Sequence, residues 1–259
     1  MGKHETEAEV EFKQRRQMML VPLLLRAKAE MVFGALLVVR SRTVWLACLL
    51  SLVAVVLSSI DMLGGNEGTN RNAIVFMIAG AIAAVVGSRL LAPGGALAAS
   101  RQVAARFWLV PFGRLTGGML VVLPVIAIAA FFLRSAEAGP VQLSMTVALY
   151  TAAVAAGVLT MAPAAGGSAA AAVGLVSVWV GVVPPVDVQA VLQKWPLLQR
   201  PLVLLWHLLP LQWRAGRLLD RFGWPDALVL LSWIALGLAF TGWTTTPVRP
   251  GGRWLRGEA

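Results

Sequence analysis

The sequence predicts an all-α polytopic membrane protein, and three observations carry that reading. Of its 259 residues, 58% are hydrophobic and only 13% are charged, whereas soluble domains have about 45–50% and about 25%. Several apolar runs approach the roughly 20 helical residues needed to cross about 30 Å of hydrocarbon. Lysine and arginine outnumber the acids 22 to 12, and cationic loops hold helix ends on the cytoplasmic side. Soluble Rossmann, barrel and sandwich folds are excluded, as is disorder. The single cysteine, Cys48, lies inside an apolar run and allows no intramolecular disulfide. With only two histidines beside it, a tetrahedral zinc site lacks soft ligands.

The elements follow in chain order. Residues 1–17 form a polar cytoplasmic tail with no signal-peptide pattern of short apolar core and small-residue cleavage site. Residues 18–43 read as an amphipathic interfacial helix. Leu20, Leu24, Ala27, Met31 and Val38 keep helical spacing, while Arg26, Lys28 and Glu30 would each cost several kcal/mol at a bilayer centre. Six transmembrane helices are expected over 44–63, 73–92, 115–133, 141–162, 168–183 and 227–243, together a domain spanning 44–243. Spans four and five are separated by a linker from Pro163 to Gly167. The outer segment 187–225 is expected as a re-entrant helical hairpin between spans five and six. Within it, Leu202–Leu209 between Pro201 and Pro210 is too short to cross. Residues 244–259 form a cytoplasmic tail.

Charge bias sets the orientation. With both termini in the cytoplasm, the inside holds most of the cations, among them Lys13, Arg15, Arg16, Lys28, Arg40, Arg101, Arg106, Arg114 and Arg253. The first two outer loops hold Arg71 and Arg134; the long outer segment holds Lys194, Arg200, Arg214, Arg217 and Arg221. Early, short loops dominate orientation, so both termini are placed inside, in the cell inner (plasma) membrane.

The helix faces leave two readings open. Span four carries Thr146, Tyr150, Ala153, Gly157 and Thr160 at spacings of three and four; span five carries Gly167, Ala170, Gly174, Ser177 and Gly181. Such stripes suit close helix packing. The span-four stripe, with its hydroxyls and the chain's one tyrosine, also suits a translocation path through Thr146, Tyr150 and Thr160. In the outer hairpin, Arg214, Arg217 and Arg221 form a basic stripe, either a solvated face near headgroups or a guide for an acidic or amphiphilic substrate. Tryptophans 195, 206, 213 and 224 crowd the same segment, as at the headgroup level.

The sequence offers no catalytic grouping. It holds no P-loop, no H-E-x-x-H and no Ser-His-Asp set. Asp61, Glu67, Glu137, Asp187, Asp220 and Asp226 all fall at expected span ends or in loops, so no buried carboxylate pair is expected. No catalytic, metal or cofactor residue is named, and the chain is not expected to be an enzyme by itself.

Two segments carry a family resemblance. The stretch from His207 through Pro210, Trp213 and Arg217 to Leu219 resembles the outer segment of type-2 ABC exporter permeases, which runs asparagine-proline, tyrosine, then arginine-glycine. His207 and Leu209 stand near the usual asparagine. The stretch from Gly94 and Leu97 through Pro111, Gly113 and Arg114 resembles that family's connection between spans two and three. It lacks the acidic residue common before the glycine there. The resemblance implies a permease without outer domains, paired with a second copy or a related permease and with a cytoplasmic nucleotide-binding ATPase. ATP-Mg would then sit on the partner subunit, and Arg101, Arg106 and Arg114 would be the cations placed for ATPase docking. A non-transporting scaffold subunit is the alternative, since small-residue stripes suit permanent assembly equally well.

Overall fold

The computed structural model describes residues 24–25, 27–63, 71–90, 109–133, 139–209, 211–220 and 223–245. Among these, every regular element is helical. Helix α1 covers residues 27–39. Then follow α2 (Arg42–Leu63), α3 (Arg71–Arg89), α4 (Leu109–Leu133) and α5 (Pro140–Ala165). The second half comprises α6 (Gly167–Val180), α7 (Pro185–Val191), a 3-10 turn (Leu192–Lys194), α8 (Pro196–Leu208), α9 (Gln212–Asp220) and α10 (Trp224–Thr245).

Four helices, α2, α4, α5 and α10, are long and apolar enough to cross a membrane. α3 is apolar but shorter over Ala73–Arg89, and α6 reaches span length only together with Pro185–Lys194, to which it is bent by 92°. The described helices therefore give four crossings by length and composition, or five if the bent pair is one span. For α6 the difference from six has a physical cause: the apolar run continues past the point where the helix stops, at Val180, four residues before Pro184.

α5 is the central helix. Its Leu143, Val147, Tyr150, Val154 and Val158 recur at spacings of three and four, and all are buried. Around it pack α3, α6 and α10, with α4 and α9 in lesser contact. α3 contributes Phe76, Ile82 and Val86 to the same core. The outward faces of α2 and α4 expose Leu49, Leu50, Leu57, Phe131 and Phe132. A contiguous apolar surface of this kind is a liability in water and is solvated by lipid tails. These helices make a multi-pass membrane protein.

Three local expectations are corrected. The five-residue linker after span four is a single residue: α5 runs through Ala165, and Gly166, at φ 81° and ψ 153°, turns the chain directly into α6. That backbone region is essentially glycine-only. Pro201 does not bound a short apolar plug. It lies inside α8, which starts at Pro196, where proline forfeits the hydrogen bond to the Leu197 carbonyl and its ring crowds that carbonyl. Span three begins earlier than Leu115, because α4 is helical from Leu109.

The bundle has two distinct ends. At one, α1 crosses the start of α4 at backbone contact: a Cβ on Gly117 would lie 1.8 Å from the Met31 carbonyl oxygen, and one on Gly34 would lie 2.3 Å from that of Arg114. The C-terminal end of α3 is here too, since Leu90 and Val86 pack at Gly118. At the other end, α9 lies across the starts of α3, α5 and α10 and the end of α6.

Candidate functional site

α9 is held by polar bonds from four helices or their termini. The Gln212 side chain donates to the Ala73 carbonyl (2.7 Å) at the start of α3. The Trp213 backbone N–H donates to Gly181 O (2.9 Å), just beyond α6. Gln142, in the first turn of α5, donates to the carbonyls of Leu218 (3.0 Å) and Leu219 (2.8 Å). Those carbonyls belong to the last turn of α9, which lacks intrahelical partners for them.

The fourth tie is ionic. The Arg214 guanidinium donates to the Asp226 carboxylate, with side-chain exposures of 6% and 4%. Arg217 reaches the second oxygen of Asp226 at 3.4 Å but is 63% exposed. Both guanidinium groups sit over the Trp213 ring, 4.6 and 5.6 Å from its centroid, a favourable cation–π placement. Asp226 lies in the first turn of α10, where the helix dipole favours a carboxylate. Burial lowers the Arg214 pKa from its ordinary value, and Asp226 opposes that shift.

The expected basic stripe is therefore divided. Arg214 is a buried ion-pair partner, Arg217 is at the rim, and Arg221 lies outside the described residues. Asp226 stands at a span end, where the sequence places it, and is buried there. Sequence spacing gave no signal for it, because Arg214 and Asp226 lie on different helices joined by a turn.

No family model, curated protein or solved structure matches the chain.

The residues of the expected path do not share one space. Tyr150 is fully buried, edge-on to Phe76 at 5.7 Å, with its hydroxyl in the notch left by Gly80. It borders a cavity of about 60 Å³ with Gly157, Gly174, Ser177 and Trp233, a volume suited to a few waters. Thr146 is buried away from that cavity, and the Thr160 hydroxyl is engaged by the Gly157 carbonyl at 2.6 Å.

At the opposite end, Arg114 is buried. Its Nε donates to Glu30 Oε2 at 2.9 Å, and its guanidinium carbon lies 4.8 Å from the Phe33 ring centroid. The residue grouped with the docking cations thus binds α1 to α4 within the chain. Arg101 and Arg106 lie outside the described residues. Among the described residues, no group of three or more His, Cys, Asp or Glu is placed to hold a metal ion.

Proposed function

We propose that this chain is the membrane-spanning permease subunit of an ATP-driven ABC exporter, moving a lipid-like, glycan, haem or peptide cargo outward. It works with a second copy or a related permease and with a separate cytoplasmic ATPase that binds ATP-Mg. The observation that carries the reading is the layout of the two ends. An N-terminal helix is bonded by Glu30–Arg114 to the helix that follows the span-two connection. A helical hairpin, α7 to α9, follows a sharply bent sixth helix and covers the other end. On this reading the chain makes six crossings, with α3 and α6 as short spans, both termini in the cytoplasm, and α7–α8 dipping into the outer leaflet. Nucleotide binding closes the ATPases and tilts α1 with the 91–108 connection, and the motion passes along α4. The test is co-expression of the tagged chain with an adjacent P-loop ATPase. Recovery of a complex whose ATP turnover requires the chain is the expected result; recovery of the chain alone under every mild detergent tried defeats the reading.

The scaffold alternative is favoured by one specific observation. Cβ atoms on Gly87 and Gly237 would lie 2.5 and 3.0 Å from the backbone oxygens of Ala155 and Ala156, so α3 and α10 meet α5 at backbone contact, a packing suited to permanence. Under it, ATP turnover by a co-purified partner is indifferent to Thr146→Val and Tyr150→Phe.

A further inference from the structure

Helix α1 has two apolar faces, and only one is used inside the bundle. Ala27, Met31 and Val38 meet α4, where Gly113, Gly117 and Gly118 receive them at close range. The second face is Leu25, Ala29, Val32, Leu36 and Val39, at spacings of four and three. All five are exposed, the four large ones by 44–63%. A shallow groove of about 440 Å³ runs along this stripe, with Lys28 and Phe33 at its sides. Charge brackets the stripe as well. At about 100° per residue, Lys28 and Arg40 fall about 60° to either side of it. The Arg40 backbone N–H still donates to the Leu36 carbonyl at 3.0 Å, so Arg40 keeps the helical register. Arg42 and Arg89, at the start of α2 and the end of α3, are exposed at the same end of the bundle. Among the described residues of this end the acid is Glu30, and Arg114 engages it on the inner side of α1. Four exposed cations are left without a counter-charge among the described residues.

The occupant of such a surface must cover leucine and valine and neutralise lysine and arginine together. The stripe runs on, through Val39, into the outward face of α2, whose exposed Leu46, Leu49 and Leu50 are solvated by lipid tails. At the join, the Trp45 indole donates to the Val39 carbonyl at 2.8 Å, and a half-exposed tryptophan of this kind stands at the headgroup level. The leaflet that wets α2 therefore reaches the α1 stripe. Long cationic side chains beside an apolar stripe extend to the headgroups, and with no acid beside them they favour anionic ones. We propose that the exposed face of α1, with Lys28, Arg40, Arg42 and Arg89, is a binding surface for anionic phospholipids. It requires only that the chain sits in a membrane, so it stands whether or not the chain transports.

The experiment uses the full chain in nanodiscs of mixed phosphatidylglycerol and phosphatidylcholine, without ATPase or nucleotide. Lipids retained on the chain are counted by native mass spectrometry. A preference for phosphatidylglycerol of about fivefold or more is expected, the worth of a single cation at an anionic surface, and it falls at high salt. Lys28→Gln with Arg40→Gln and Arg42→Gln alters exposed residues and is expected to bring the preference to parity. Lys194→Gln with Arg200→Gln, in the hairpin at the other end, leaves it unchanged. A second readout places a nitroxide on Leu36→Cys in a Cys48→Ala background. Collision with oxygen in excess of a nickel chelate is expected if lipid covers the stripe. Equal retention of both lipids by the unaltered chain overturns the proposal. So does a preference that survives the triple substitution or is lost equally with the hairpin pair, or a nitroxide reached chiefly by nickel. If no lipid preference exists and the triple variant sheds a protein co-purified from cells, the surface belongs to a protein partner and the proposal fails. Because no ATPase is present in the nanodiscs, failure there is separate from failure of the permease reading.

Discussion

The Arg214–Asp226 pair fixes how α9 meets α10, and its energetics follow from burial. Taking two charges out of water is costly, so the pair gives little net stability over an apolar pair of equal volume. Removing one partner is another matter, because it strands the other charge. Asp226→Ala is expected to lower stability by about 3–5 kcal/mol, measured by denaturant unfolding in detergent. The double substitution Arg214→Met with Asp226→Leu is expected to recover most of the loss. If Asp226→Ala costs under about 1 kcal/mol, as is usual for a surface pair, the pair is not buried in the folded protein. Glu30–Arg114 invites the same comparison at the other end.

At the scale of elements, two glycine positions decide how helices join. At Gly117, a Cβ would press into the Met31 carbonyl oxygen, and backbone cannot move aside as a side chain can. Gly117→Ala is expected to separate α1 from α4 and to cost about 1–3 kcal/mol, read as a lowered unfolding midpoint and faster proteolysis of α1. Gly166→Ala puts a Cβ on a backbone at φ 81°, at a cost of about 1–3 kcal/mol, with no steric contact to add. Of these elements, α2, α5 and α10 were legible because their apolar runs are long and uninterrupted. Their ends were less so. Hydropathy continues through Gly166 and through the turn at Gly181, and only backbone geometry stops the helices at those two glycines. The site was legible in composition but not in pairing: the arginines and tryptophans of 187–225 stand out, but the groups that tie α9 down, Gln142, Ala73 and Asp226, come from three other helices. The 3–4 spacing of Arg214, Arg217 and Arg221 looks like a polar face, whether solvated or guiding a substrate. Burial by α10 makes the Arg214 part of it internal.

At the scale of the whole molecule, the two ends can be assigned to sides of the membrane. With Cys48 replaced by Ala, a single cysteine at Arg217 and another at Arg40, both exposed positions, report opposite ends. Impermeant maleimide on intact cells is expected to label Arg217→Cys, and to label Arg40→Cys only after permeabilisation. The reverse pattern would invert the orientation and with it the direction of transport. The count of crossings is open to the same method: cysteines at Arg71 and Arg89 fall on opposite sides if α3 crosses, and those at Arg89 and Gly139 do so if α4 crosses.

The tie between Arg214 and Asp226 also bears on how the chain is made. Synthesis proceeds from the N-terminus, and early segments begin to fold before later ones exist. Arg214 therefore emerges ahead of its counter-charge, and α9 cannot bury it until α10 has entered the membrane with Asp226 at its leading turn. Gln142 and Ala73 are already in place by then, so α10 supplies the charge that closes this end of the bundle. A nascent chain halted before Asp226 keeps Arg214 unmatched and lacks the ionic tie that holds α9 to α10.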